Sequence, residues 1–168
     1  MFKTNCPDKL LHEGWALLPL RIILGFGFAA HGYAKLNRGP EIFATILHSI
    51  GVPHPVAMAW MTSLVEFLGG ICLIGGAFVL PLSLPLIAIM LTAMVTVHWP
   101  YGFSSVRLQA ITNEGAKFGP IGYEMNLLYI AGLITLALGG SGALSVDRYI
   151  SRKTRERQEL ISVESSSD

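Results

Sequence analysis

The sequence is poor in charged residues, and this shortage restricts what the chain can be. Charged side chains make up 14% of the 168 residues and hydrophobic side chains 52%, whereas about a quarter of the residues of a typical soluble domain are charged. The mean hydropathy is +0.53. A soluble globular domain does not fit this composition, which is typical of an integral membrane protein.

The sequence also lacks the signatures of several kinds of functional site. The two cysteines, Cys6 and Cys72, form no C-x-x-C pair, which argues against direct thiol redox chemistry. The segment GFGF lacks the spacing of a dinucleotide-binding loop and lies within an apolar run. The net charge is only +1, so we expect no nucleic-acid partner. We predict no metal site.

Four apolar segments are long enough to cross a hydrocarbon core, which takes about 20 helical residues. The third is expected to be the shortest, with Pro81 and Pro85 in its first turns rather than its interior. The sequence therefore predicts an all-α fold, a four-transmembrane-helix bundle. The predicted spans are Trp15–Leu36, Val56–Val79, Leu82–Trp99 and Ile121–Gly140.

Basic residues indicate the orientation, because cytoplasmic flanks carry an excess of lysine and arginine. We expect both termini to be cytoplasmic and the loops 37–55 and 100–120 to face outward. The predicted organisation is a cytoplasmic segment 1–14, a membrane domain 15–147 and a tail 148–168, basic at first and then Ser-rich and disordered. A cleaved signal peptide is the competing interpretation of the start, but Arg21 interrupts its apolar core. The cytoplasmic basic residues are Lys3, Lys9, Arg148, Arg152, Lys153, Arg155 and Arg157.

Ionisable residues inside the first two spans fall on faces of small residues. Arg21 and Lys35 share a stripe with Gly25, Phe28 and Gly32, at steps of three and four. Glu66 shares a similar stripe with glycines of the second span. Counting about 1.5 Å per residue from the cytoplasmic side puts Arg21 roughly 9 Å deep and Glu66 roughly 20 Å deep. This difference is within reach of an arginine side chain and predicts an Arg21–Glu66 ion pair.

A second group is predicted near the outer boundary, where His31 and Lys35 end the first span, His98 ends the third and Glu124 begins the fourth. Purely structural roles stay open for all of these residues. Arg21 and Lys35 can snorkel to headgroups, and His98 can belong to an aromatic belt. Glu124 can complement a helix dipole, and Glu66 can form a structural ion pair.

Several motifs of the chain resemble those of the DoxX family of small bacterial four-helix membrane proteins. They are RIILGFGFAAHGYAKL, VEFLGGICLIGG, GYEMNLLYIAG and GGSGALSVDRYI, together with a histidine that closes the third span. The likeness covers about residues 15 to 150. It implies a multi-pass protein of the bacterial plasma (inner) membrane. The family is named for membrane subunits associated with thiosulfate:quinone oxidoreductase or terminal quinol oxidase. Other members resemble partners in thiol and oxidative-stress systems, for which this chain lacks the C-x-x-C. The positions carried over are Arg21, His31, Lys35, Glu66, His98 and Glu124.

The leading hypothesis is a quinone- or quinol-binding subunit that supports a membrane oxidoreductase. Quinone chemistry moves protons with electrons, so the site needs hydrogen-bond donors and an acid or base. Catalytic roles are predicted for Glu124, His98 and Glu66. Cofactor binding is predicted for His31, Lys35, Arg21 and His98. The expected partners are membrane lipids and either a redox subunit or further copies of the chain.

Two other interpretations stay open, and a third is not expected. Inward-facing charges also mark a small-solute or ion transporter or channel, although four helices are few for one. The chain can instead be a non-catalytic scaffold subunit. Haem ligation by His31 and His98 is not expected, because Lys35 and Glu124 lie at the same level.

Both outer loops carry a secondary-structure signal. Apolar residues at helical spacing between Ile42 and Ile50, ended by Gly51 and Pro53, predict a short interfacial helix. The loop 101–120 alternates apolar and polar residues and is predicted to form a hairpin-like cover.

Overall fold

The computed structural model describes residues 14–165, which form a helical bundle with one exposed β-hairpin. Residues 1–13 lie outside this range, and with them Lys3, Cys6, Lys9 and most of the predicted cytoplasmic segment 1–14. The elements are α1 (Leu17–Arg38), α2 (Pro40–Ser49), α3 (Pro55–Gly75), α4 (Val79–Ala93), β1 (Leu108–Thr112), β2 (Gly115–Phe118), α5 (Glu124–Gly139) and α6 (Val146–Ser165).

Among residues 14–165, three helical segments are long and apolar enough to cross a membrane: Leu17–Arg38, Pro55–Gly75 and Val79–Tyr101. The last continues α4 through a π-helical turn, Met94–His98, and a 3₁₀ turn, Trp99–Tyr101. The apolar helix α5 has 16 residues, which is about 24 Å of helix. Helix α5 is thus the shortest of the four apolar helical segments, and the expectation that the third would be shortest was wrong.

The boundary between the second and third spans also differs from the prediction. Gly76 adopts a left-handed conformation (φ 66°), and Ala77 donates its N–H to the carbonyl of Cys72. This arrangement ends α3 at Gly75 rather than Val79. Because α4 then begins at Val79, Pro85 falls inside the helix instead of its first turn.

The core joins the four apolar helices. Its buried residues come from α1, α3, α4 and α5: Leu24, Phe28, Leu73, Val79, Leu86, Leu133 and Leu136. Many large apolar side chains on the outer faces, such as Ile23, Leu84 and Leu128, are exposed. A soluble protein would bury this surface, so its exposure fits a bundle surrounded by lipid.

Both predicted loop elements form. The helix α2 packs on α3 through Ala44, Leu47 and Ala59, which confirms the short helix after the first span. The strands β1 and β2 pair antiparallel across residues 108–118, which confirms a hairpin. Nearly all hairpin residues are exposed, so the expectation that it covers the bundle was wrong.

The tail prediction was partly wrong. Helix α6 continues through Ser165, so residues 159–165 are helical rather than disordered. Oppositely charged residues four apart, such as Arg152 and Glu156, favour a helix in this segment despite its polarity.

Candidate functional site

Two glycines let α1 and α3 meet through their backbones. A Cβ atom on Gly32 would lie 2.3 Å from the backbone nitrogen of Phe67, and one on Gly70 would lie 2.4 Å from that of Ala29. Such distances are impossible for real side chains, so only glycine fits at these contacts. The contacts fix an antiparallel register, in which the turn after Gly32 on α1 faces the turn before Phe67 on α3.

This register brings Lys35 to Glu66. The Nζ atom of Lys35 lies 2.7 Å from both carboxylate oxygens of Glu66 and donates to each. The Glu66 side chain is 2% exposed and that of Lys35 is 25% exposed. The Phe43 ring of α2 lies 4.5 Å from Nζ, measured to its centroid, a distance at which a ring attracts a cation. A buried carboxylate is therefore neutralised by an ammonium that partly reaches the surface.

The predicted Arg21–Glu66 pair was wrong. Arg21 lies near the opposite end of α1, level with the end of α3, where a Cβ on Gly76 would lie 2.5 Å from a guanidinium nitrogen. Which residues pair depends on the register in which α1 contacts α3. The predicted depths were instead counted separately along each helix, so they include the error in each assumed helix end.

Arg21 is bound instead by the loop between α5 and α6. Its guanidinium donates to the carbonyls of Ser141, Ala143 and Leu144, and the Arg21 side chain is buried. A planar guanidinium with five donors suits such a ring of carbonyls. The alternative interpretation, in which Arg21 snorkels to headgroups, is therefore not observed, because the side chain fastens the fourth apolar helix to the first.

Asp147 lies at the same end of the bundle as Arg21 and binds the start of α4. Its two carboxylate oxygens accept the backbone N–H groups of Phe78 and Val79, at 2.9 and 3.1 Å. The first turn of α4 has free N–H donors and the positive end of the helix dipole, so a carboxylate stabilises it there. Sequence reasoning gave Asp147 no role, although the segment GGSGALSVD that holds it and the Arg21-binding carbonyls was recognised as a motif.

His98 and Glu124 lie at the opposite end of the bundle and hold the segment between α4 and α5. The Nδ1 atom of His98 lies 3.0 Å from the carbonyl oxygen of Ile121, and Oε2 of Glu124 accepts the N–H of Ser105 at 3.0 Å. The Tyr123 ring stacks on Trp99 with centroids 5.2 Å apart and meets Phe103 edge-on. The chain neighbours of His98 and Glu124 thus belong to one aromatic cluster.

The structure does not join all the predicted site residues. Lys35 and Glu66 contact each other, but in the described part of the chain neither hydrogen-bonds to His98 or Glu124. The His31 side chain is exposed on α1. Within residues 14–165, no group of three or more His, Cys, Asp and Glu side chains is arranged to hold a metal ion.

Asn126 is a buried polar residue that sequence reasoning missed. Its Nδ2 atom donates to the carbonyl of Met90 at 3.2 Å, one turn before the π-helical segment of α4. A polar side chain within the apolar run of α5 was the available signal, because such residues in a membrane helix usually face the bundle interior.

Comparison with known proteins identifies one family. Residues 16–99 match the family model described as DoxX, which spans α1, α2, α3 and nearly all of the third apolar segment. The match includes Arg21, Lys35, Glu66 and His98. No curated protein and no solved structure matches the chain.

Proposed function

The chain belongs to the DoxX family of membrane proteins, and from that premise we propose that it is a quinone- or quinol-binding subunit of a membrane oxidoreductase. The head group binds at the end of the bundle that carries Lys35, Glu66, His98 and Glu124. We also propose that the protein lies in the plasma membrane of a bacterium.

The observation that carries this proposal is the unequal burial of the Lys35–Glu66 pair. A lysine ammonium has three N–H donors, and Glu66 accepts two of them. The third remains for a ring carbonyl at the partly exposed side of Lys35. Glu66 supplies an adjoining proton acceptor, and the Phe43 ring beside Nζ offers an apolar face to a planar ligand. These groups fit the donor, acceptor and apolar contacts that a quinone head group needs.

A bound quinol supplies two electrons and two protons when it is oxidised. In the proposed mechanism Lys35 would hold a ring oxygen, Glu66 would accept one of the two protons and Glu124 the other, and the two electrons would pass to a redox centre of the partner subunit. In the described residues, Nε2 of His98 and Oε1 of Glu124 form no hydrogen bond. These atoms are therefore available to pass protons to the aqueous side.

One further candidate function, a non-catalytic assembly subunit, is favoured by a specific observation. Arg21 and Asp147 bind groups of the bundle itself, as structural residues do. A solute path between α1 and α3 has less support, because their backbones are in contact at Gly32 and Gly70.

The experiment is the quinone content of detergent-purified protein, measured by mass spectrometry of solvent extracts. Wild type is compared with Lys35→Met, with the double variant His98→Ala, Glu124→Gln, and with Lys117→Met as a control on the exposed hairpin. The proposal predicts near-stoichiometric quinone in wild type and the control, and loss in the other two. Equal background amounts in all four proteins would overturn it, and retention of a co-purifying partner would then favour an assembly subunit.

A further inference from the structure

The hairpin of β1 and β2 has one apolar face. Leu108 pairs with Phe118, and Ile111 pairs with Ala116. A register shift between Leu108 and Ala110 inserts one extra residue at Gln109. Leu108 and Ile111, three apart, therefore share a face, which they would not do in a regular strand. The other face carries Ala110, Thr112 and Lys117.

This apolar face has no partner in the described residues. Leu108 is 56% exposed, Ile111 80% and Phe118 61%. An isolated two-stranded hairpin is only marginally stable in water. A bulge that gathers the large apolar side chains on one face stabilises the hairpin only if that face is covered. The hairpin therefore requires an apolar environment outside the chain.

The surroundings of the hairpin indicate which environment this is. Its base is tied to the ends of two apolar helices, since Arg107 donates to the carbonyl of Tyr101 and Glu124 donates its N–H to that of Phe103. The exposed side chains there are apolar or aromatic, including Trp99, Phe103 and Ile121. The apolar face of the hairpin thus adjoins, in chain order, the exposed apolar residues at the ends of these helices, which belong to the lipid-facing surface of the bundle. Arg107, just before β1, and Lys117, near the end of β2, supply cationic groups that complement lipid phosphates.

We propose that the hairpin is an interfacial membrane anchor, which inserts Leu108, Ile111 and Phe118 among lipid acyl chains and keeps Lys117 at the headgroups. This resembles the way an amphipathic helix lies in the interface, with one face of a strand pair in place of one face of a helix. The inference does not depend on quinone binding.

Spin-label accessibility tests this proposal in the full-length chain. Nitroxides are attached to the single variants Ile111→Cys, Phe118→Cys, Ala110→Cys and Lys117→Cys, in a Cys6→Ser, Cys72→Ala background reconstituted in nanodiscs of phosphatidylcholine and phosphatidylglycerol. Power saturation then compares collisions with oxygen, which concentrates in lipid, and with a water-soluble nickel chelate. We expect oxygen to dominate at 111 and 118 and nickel to dominate at 110 and 117.

Two results would overturn the proposal. Nickel access at all four positions would mean that the apolar face lies in water. Labels at 111 and 118 that are immobile and shielded from both reagents would mean that protein covers the face, either a second copy or another subunit.

Trypsin cleavage after Arg107 and Lys117 gives a second measurement without labels. In nanodiscs, the double variant Ile111→Ser, Phe118→Ser should be cut several-fold faster than wild type, because its hairpin leaves the lipid. The polar-face control Ala110→Ser, Thr112→Ser should be cut at the wild-type rate. Equal rates in the two double variants would contradict the anchor.

Discussion

The ammonium of Lys35 lies 2.7 Å from both carboxylate oxygens of Glu66, and this pair joins the first helix of the bundle to the third. Removing Lys35 leaves a carboxylate that is 2% exposed without a counter-charge. We expect Lys35→Met to lower the free energy of unfolding by about 3 kcal/mol, the cost of breaking one partner of a buried pair.

The double variant Lys35→Met, Glu66→Gln should recover part of that loss, since it leaves no unpaired charge. Reversible unfolding in mixed detergent micelles measures the full cycle, with Lys117→Met as the exposed control. Additive losses from the two single changes would contradict an energetic coupling between these residues.

Backbone contact between α1 and α3 predicts a strong dependence on glycine. Gly70→Ala places a methyl group against the backbone of Ala29, so the helices must separate and the Lys35–Glu66 pair must lengthen. We expect a loss of at least about 2 kcal/mol, as for overpacking in a core. Gly75 is the matched control, because a Cβ there meets nothing within 4 Å. Gly75→Ala should be neutral or slightly stabilising in the same unfolding assay.

Arg21 is predicted not to tolerate lysine. A lysine ammonium cannot reproduce the planar fork that serves three carbonyls of the α5–α6 loop. Arg21→Lys should cost about 2 kcal/mol, the scale of a lost hydrogen bond from a charged donor. Arg38→Lys, at the exposed end of α1, should change the free energy of unfolding little. Equal effects of the two substitutions would show that only the charge of Arg21 matters.

Asp147 is predicted to stabilise the start of α4. Asp147→Ala removes both acceptors from the N–H groups of Phe78 and Val79 and should cost about 1–2 kcal/mol, as for loss of a helix N-cap. Asp147→Asn keeps an acceptor oxygen and should cost less. Glu156→Ala is the control, because Glu156 is exposed on α6, the helix that also carries Asp147. Thermal unfolding in detergent orders the three variants.

The predicted four-span topology can be tested by labelling. The N–H of Ala143 donates to the carbonyl of Gly14, so the chain enters the first helix and leaves the fourth apolar helix at the same end of the bundle. If the basic flank is inside, as the sequence predicts, Ser151→Cys in the Cys6→Ser, Cys72→Ala background should react with a membrane-impermeant maleimide only in inverted vesicles. Thr112→Cys should react only in right-side-out vesicles. Labelling of both positions from one side would contradict the fourth crossing.

The sequence predicts the helices, the inward stripes and both loop elements, because each follows from local periodicity and turn residues. Lys35, Glu66 and Arg21 were all selected as interior residues, but the partners of Glu66 and Arg21 were assigned wrongly. The assumed end of the second span was four residues late, which is about 6 Å of helix. That error exceeds the rise of one helical turn, so it is enough to pair a residue with the wrong turn of the facing helix.

The partners of Arg21 are backbone carbonyls, which exist at every position and leave no mark on residue type. The role of Asp147 depends on a contact 68 residues away along the chain, beyond the reach of a local pattern. The exposure of His31 could be predicted in part, because it lies outside the stripe formed by Arg21, Gly25, Phe28, Gly32 and Lys35.

Exchanging the two charges tests the central claim most directly, because it separates a structural pair from a ligand-binding one. The double variant Lys35→Glu, Glu66→Lys keeps an ion pair between the helices but puts the carboxylate on the exposed side and the ammonium in the interior. The proposed function predicts that this variant unfolds like wild type yet loses the quinone that wild type retains. Full retention of quinone by the folded variant would contradict a binding role for the Lys35 ammonium.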